Sequence, residues 1–240
     1  MSWLDLPRIP EPEVMDDSRE VQAYSSASAQ EYLGKIDDSF VEHALRLVDR
    51  APGWVLDIGC GPGQIVKKIS MRLPQWRYLG VDRSEPMIRR ALEPVESSSA
   101  LSAREGTAFE PGDVQFLIGD ANSLPFRDAT FDLVLCNSVL HHIHDPSRLL
   151  AEIGRVAKSG AAILLRDLRR PSRVGYAFHV RWHGRHYAEL MYKLYCDSVR
   201  AAYTPEELSS MLRSAGMQGA SVFTYRSTHL GIERAARRTR

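Results

Sequence analysis

Cysteine is scarce in this chain. Three residues in 240, Cys60, Cys136 and Cys196, stand far apart and form no C-x-x-C pair, a usage that suits a reducing cytosol. No apolar run approaches the roughly 20 residues of a membrane-spanning helix, and the opening Met-Ser-Trp-Leu-Asp-Leu-Pro-Arg lacks the apolar core of a secretion signal. An excess of charge is also missing. Basic residues number 31 and acidic ones 30, so a formal net charge of +1 gives no global argument for a nucleic-acid or membrane partner. No internal repeat is present. With 44% hydrophobic and 25% charged residues, the chain can nevertheless bury a large core without disulfides or metals.

Along the chain, apolar runs and helical spacing alternate. Strands are expected at 54–58, 76–81, 114–118, 131–136 and 161–166, with helices at 62–73, 85–94 and 146–157 between them. That rhythm predicts an α/β fold, a doubly wound and mostly parallel sheet covered on both faces. Ser159-Gly160 is expected as the turn into the fifth strand, and Glu96 to Gly112 reads as a surface loop without chemistry. Before the first strand, helical spacing from Gln22 to Asp49 suggests that residues 1–50 form a helical lid over the 51–240 domain. Tyr24 or Tyr32 would cover a ligand there, or pack in the core. Thr204-Pro205-Glu206-Glu207 gives an N-cap, a proline in the first turn and acids beside it. The arginine-rich end, Glu233 to Arg240, reads as a solvated tail.

The densest information is Val55-Leu56-Asp57-Ile58-Gly59-Cys60-Gly61-Pro62-Gly63-Gln64, a strand running through an acidic residue into a glycine-rich turn. A dinucleotide site reads G-x-G-x-x-G and holds a pyrophosphate on amides at the helix start. Here the third glycine falls one place early, Pro62 removes a donor, and Asp57 would repel an anion while attracting an ammonium group. The turn therefore suits a nucleoside cofactor with an amino-acid end and no phosphates, namely S-adenosylmethionine (SAM). "LDIGCGPGQ" resembles the first motif of the class I SAM-dependent methyltransferases. Arg77 to Asp82 follows as a strand ending in a carboxylate suited to ribose hydroxyls, then Gly119-Asp120-Ala121, then Phe131 to Asn137 leading into Ser138-Val139-Leu140-His141-His142. The resemblance covers about residues 50–170. It implies a seven-stranded sheet closed by an antiparallel hairpin at Ala220–Tyr225 and Thr228–Ile232. It further implies a cofactor set of Asp57, Gly59, Cys60, Gly61, Asp82, Arg83, Asp120, Ala121, Asn137 and Tyr24. Asp120 would receive the adenine amino group, and Asn137 would lie beside the methionine part.

Methyl transfer from a sulfonium needs alignment and an unprotonated nucleophile rather than a metal, so none is expected. For a hydroxyl acceptor a histidine is a suitable base. "SVLHHIHDP" is similar to small-molecule O- and C-methyltransferases of quinone and natural-product pathways, and in some sugar O-methyltransferases a histidine here works with an aspartate ending strand five. That implies His141 as base, oriented by Asp167, with His142 the alternate; equally, the pair shapes the loop while Asp145 caps the next helix. Residues 168–200 read as a helical block that shapes the acceptor pocket. Its His179, His183 and His186 are spaced to share one helical face, as a polar wall, a packing surface or, less in keeping with the motif, a zinc site. Arg166, Arg169, Arg170, Arg173, Arg181 and Arg185 suggest an anionic acceptor or a solvated face. The sequence favours a small acceptor, methylated at oxygen. Methylation at carbon, nitrogen or sulfur, or of a tRNA or protein, a non-catalytic SAM-binding protein, and a nicotinamide oxidoreductase stand as rivals.

Overall fold

The computed structural model describes residues 4–11, 18–24, 27–49, 51–93, 113–187 and 189–237. Helices α1 (Ser18–Tyr24) and α2 (Ala27–Leu47) precede β1 (Trp54–Ile58), α3 (Gln64–Arg72), β2 (Arg77–Asp82) and α4 (Glu85–Leu92). Then come β3 (Val114–Ile118), β4 (Phe131–Asn137), a 3₁₀ turn (Leu140–His142), α5 (Pro146–Val156) and β5 (Ala157–Leu168). The chain continues through α6 (Arg173–His183), a second 3₁₀ turn (Gly184–His186), α7 (Glu189–Ala201), α8 (Pro205–Ala215), β6 (Ser221–Tyr225) and β7 (His229–Arg234).

The seven strands run in the order β3-β2-β1-β4-β5-β7-β6, parallel except for β7, which pairs antiparallel with both β5 and β6. Helices cover both faces, which is why the central strands are apolar almost without interruption. Side chains alternate between two cores. Even-numbered Ala162 and Leu164 of β5 face Phe40, Val66 and Ile69 of α2 and α3. Odd-numbered Ile163 and Leu165 face Leu149, Ile153 and Leu208 of α5 and α8. The strand order reverses at β1, between β2 and β4, and in such sheets the crevice outside the carboxyl ends of these strands receives ligands.

The expected elements are present, with instructive differences at their ends. Helix α3 starts at Gln64 instead of Pro62 because Gly63, at φ +76°, holds the left-handed conformation that the turn requires. The expected turn at Ser159-Gly160 lies inside β5. Pairing with β4 jumps from Phe131–Ala157 to Leu133–Ala162, and Gly160 at φ +80° absorbs the irregularity as a bulge. Helix α8 carries a full capping box: the Thr204 hydroxyl accepts from Glu207 N–H at 3.3 Å, and the Glu207 carboxylate accepts from Thr204 N–H at 2.9 Å. Asp145 caps α5, accepting from Ser147 and Arg148 N–H. The 168–200 block is two helices set apart by the second 3₁₀ turn. The arginine tail is partly structural, since Arg234 donates to Ala161 O and Lys158 O; Arg238 and Arg240, like the Glu96–Gly112 loop and the side chain of Tyr32, lie outside the described residues.

Arg166 is the largest fully buried side chain. Its guanidinium donates to Ser39 Oγ at 2.8 Å, Ile36 O at 2.7 Å and Asn137 Oδ1 at 3.3 Å, and lies over the Phe40 and Tyr225 rings at 4.9 and 5.3 Å. It ties α2 to the sheet. Burial lowers its pKa only to about 10, so the tie stays charged at neutral pH. Two histidines behave differently. Burial, reinforced by the Arg166 charge, lowers His229 to about 3; burial, with His183 next to it, lowers His179 to about 4. Unfolded histidine titrates near 6.5, so both groups favour folding fully above about pH 6.5, and that contribution fades as pH falls toward 4. Thermal denaturation should show the melting temperature falling through that window, with a shallower fall in His229→Asn.

Candidate active site

The glycine turn is built by close approaches. Gly59 N–H and Cys60 N–H both donate to Val81 O, at 2.7 and 3.0 Å, which folds the turn across the end of β2. Gly59 stands at φ +66°, and a Cβ there would come within 2.3 Å of Val139. Gly61, at φ +52°, has open space where a Cβ would project, and its N–H donates to Asp82 Oδ2 at 2.8 Å. The other Asp82 oxygen accepts from Ser84 N–H at 2.8 Å. A carboxylate oxygen can accept more than one hydrogen bond. Asp120 accepts from Asn122 N–H at 2.8 Å, which fixes the turn after β3.

These groups line one cavity. Asp57, Gly59, Cys60, Gly61, Asp82, Arg83, Asp120, Ala121 and Asn137 line it, as do Tyr24, Leu33, Ile36 and Asp37 of α1 and α2. Its electrostatics call for a cation. Burial pushes Asp57 well above the usual carboxylate range, and Asp37 and Asp82 push it further; Asp37 itself is raised to about 6, chiefly by burial. Burial and the two neighbouring carboxylates raise the proton affinity of Asp57, and an ammonium or sulfonium beside it would relieve that cost. The donor set thus fits SAM, a cation with an amino-acid end and ribose hydroxyls, in a cavity lined by Asp37, Asp57, Asp82 and Asp120.

The same cavity extends to His141 and His142, and past them to His183, Tyr187, Met191, Leu194, Thr228 and His229. Both Asp167 oxygens bind His141: Oδ1 lies 2.5 Å from Nδ1, and Oδ2 accepts from the His141 N–H at 3.0 Å. Asp167 itself is buried behind the ring. Burial alone would raise the Asp167 pKa, but the imidazole beside it holds the net value below the ordinary one; burial likewise opposes charge on His141, yet Asp167 and Glu11 keep its proton affinity above normal. On the far side, Glu11 Oε1 stands 3.3 Å from His141 Nε2 and 3.1 Å from His142 Nδ1. An N-terminal strap delivers it: Arg8 donates to Ala201 O at 2.6 Å and His141 O at 3.2 Å and covers the Tyr203 ring, while Ile9 N–H donates to Arg200 O. Glu11, His141 and His142 are also the group of described residues whose ligand atoms lie within 4.8 Å of one another, a spacing that a divalent cation could bridge.

A methyltransferase-domain family matches residues 56–165. Demethylmenaquinone methyltransferase of Roseiflexus sp. (strain RS-1) is 30% identical over 75% of this chain and 72% of its own. The chain belongs to the class I SAM-dependent methyltransferases. An uncharacterized methyltransferase of Schizosaccharomyces pombe is 32% identical over 113 residues, which is 47% of this chain and 39% of the yeast protein. The fold also matches the crystal structure of a SAM dependent methyltransferase from Aquifex aeolicus, with TM-score 0.60, 20% identity, and 91% and 98% of the two chains covered.

In this methyltransferase the expected cofactor residues all line the cavity, together with His141 and His142. The three-histidine face does not form. Helix α6 ends at His183, and His186 falls in the following 3₁₀ turn and is exposed, while His179 is buried with its ring 4.8 Å from that of His183. Nor do the arginines point to an anionic acceptor. Arg166 is the tie to α2, Arg170 donates to Ala202 O and Glu207, and among the described residues Arg83 is the one arginine lining the cavity. Glu11 and Asp37 went unread in the sequence because neither sits in a motif. Asp82→Ala should weaken adenosylhomocysteine binding about 10- to 100-fold, the loss of one or two charge-assisted hydrogen bonds, read by calorimetry.

Proposed function

We propose that this methyltransferase methylates a hydroxyl oxygen of a small, largely apolar acceptor, with His141 as the base and Asp167 as its positioning partner. The observation that carries this reading is the double contact of Asp167 with His141. By accepting from Nδ1–H, Asp167 commits the neutral ring to the tautomer whose Nε2 carries the lone pair, on the side where Glu11 stands 3.3 Å away. When bound, SAM supplies a methyl group activated on a sulfonium. Nε2 would take the acceptor's hydroxyl proton, and Asp167 would stabilise the resulting imidazolium. Glu11 Oε1, 3.3 Å from Nε2, stands where that proton can pass on. His142 borders the same contact. Asp57, Asp37 and Asp82 hold the cofactor, and Tyr24, Leu33 and Ile36 support the reading of α1 and α2 as its lid. His183, Tyr187, Met191 and Leu194 support the reading of 168–200 as the acceptor wall, apolar but for a few polar points.

The demethylmenaquinone methyltransferase relatives favour a second reading, methylation at a ring carbon of a quinone-type acceptor. The same base serves it, since removing a ring hydroxyl proton makes the adjacent carbon nucleophilic. Incubation with isotopically labelled SAM and fractionated metabolite extract should give a labelled product by mass spectrometry, and NMR of that product separates oxygen from carbon. Tight adenosylhomocysteine binding with no labelled product from any fraction would leave a SAM-binding protein without catalysis.

A further inference from the structure

Most exposed apolar side chains of the chain are scattered singly, as on any soluble surface. Helix α6 is different. Val174, Phe178 and Trp182 are 70%, 71% and 53% exposed, and their i, i+4, i+8 spacing lines them along one stripe of the helix. The Phe178 and Trp182 rings lie nearly parallel, at 12° and 6.0 Å. Arg181 is exposed beside this stripe, with Arg173 exposed at the first turn of the helix and Arg185 just past its end; Arg185 stacks on the Trp182 ring at 4.5 Å while donating to Trp182 O. Between Leu168 and Ala188 the sequence contains no Asp or Glu. The near-zero total charge of the chain therefore conceals a locally cationic, apolar ridge. The opposite side of α6 is the inward one: His179 and Val180 are buried, and His183 lines the cavity.

We propose that α6 docks on an anionic lipid bilayer surface. Val174, Phe178 and Trp182 enter the boundary between headgroups and acyl chains, and the three arginines meet lipid phosphates. A convex helix with an apolar stripe flanked by arginines is the form that lies in a membrane interface. Charge complementarity decides the occupant. A second copy docked on this face about a twofold axis would bring the two sets of arginines together without an acidic partner in the segment. Single-stranded nucleic acid needs free aromatic faces for its bases, whereas here Trp182 is already stacked by Phe178 and Arg185. Docking would set the wall of the cavity against the lipid, the side from which an apolar small molecule would enter. The proposal does not rest on methyl transfer, because it can be read without cofactor or acceptor.

The test is co-sedimentation of the full chain with vesicles of phosphatidylcholine alone, or mixed with phosphatidylglycerol. Binding to the anionic vesicles should be at least about tenfold tighter and should weaken with added salt. Phe178→Ser/Trp182→Ser and, separately, Arg173→Ser/Arg181→Ser/Arg185→Ser should each reduce it about tenfold while melting temperature and adenosylhomocysteine binding stay unchanged. A blue shift of tryptophan fluorescence on binding should be absent in Trp182→Phe. Failure to bind anionic vesicles, or equal binding by the Phe178/Trp182 variant, overturns the proposal. So does a dimer in light scattering that the same double variant splits, or displacement of vesicles by a single-stranded oligonucleotide.

Discussion

His141→Ala is expected to lower kcat for methyl transfer by about 10²- to 10⁴-fold, the usual contribution of a positioned general base, while adenosylhomocysteine binding stays within about twofold. The separation follows from geometry. His141 adjoins the cofactor residues in one cavity but is fixed by Asp167 and the strap rather than by the glycine turn. Asp167→Asn should fall in the same range, because an amide cannot hold the ring in one tautomer or stabilise the imidazolium. The pH profile adds a readout that mere packing would not move. Asp167 and Glu11 raise the His141 pKa despite its burial, so the protonated, inactive ring persists above pH 6.5 and kcat should rise with pH through a midpoint above that value. Asp167→Asn removes the largest of these attractions, and its midpoint should move down. Wild-type kcat in both variants, with an unshifted profile, would remove His141 from the chemistry.

The second large effect is on stability. In Gly231→Ala the new Cβ would stand 2.0 Å from Leu165 O, a backbone atom of the neighbouring strand, and 2.7 Å from the Phe223 ring. Neither can yield cheaply, since β7 is clasped between β5 and β6. The expected loss is about 3 kcal/mol or more, which for a chain of this size lowers the melting temperature by roughly 10 °C. Gly61→Ala supplies the contrast. Its Cβ would meet nothing within 4 Å, leaving only the left-handed backbone at about 1–2 kcal/mol, and its effect should appear in cofactor affinity more than in melting. Equal melting curves for Gly231→Ala and wild type would mean that the β5–β7 pairing tolerates separation there.

The gathering of the expected cofactor residues around one cavity was legible because its parts are contiguous. A carboxylate at a strand end, a glycine turn and a helix start are consecutive in sequence, and parallel pairing brings the ends of β1, β2, β3 and β4 to one edge automatically. The acceptor half depends on long-range docking. Nothing around Glu11 announces that Arg8 will pin its strap to Ala201 and His141, and Asp37 reaches the cavity because Arg166, Lys68 and the packing of Phe40 hold α2 in place. The histidine spacing misled for a local reason. A Cβ at Gly184 would lie 2.6 Å from the Tyr192 ring, so the chain stops its helix there to let α7 approach, and His186 leaves the face. Arginine density misled for a different one: buried guanidinium groups bond to backbone carbonyls, and the outward ones never reach the cavity.

Arg166 and Asp167 are neighbours on one strand and serve opposite sides of the sheet, the first clasping α2 and the second aiming His141. A slip of β5 by a single residue would exchange them, sending the guanidinium toward the imidazole and the carboxylate beneath the helix. The tie to α2 and the contact with His141 are therefore inherited together from one alignment, so no drift in that strand can sacrifice the one and spare the other.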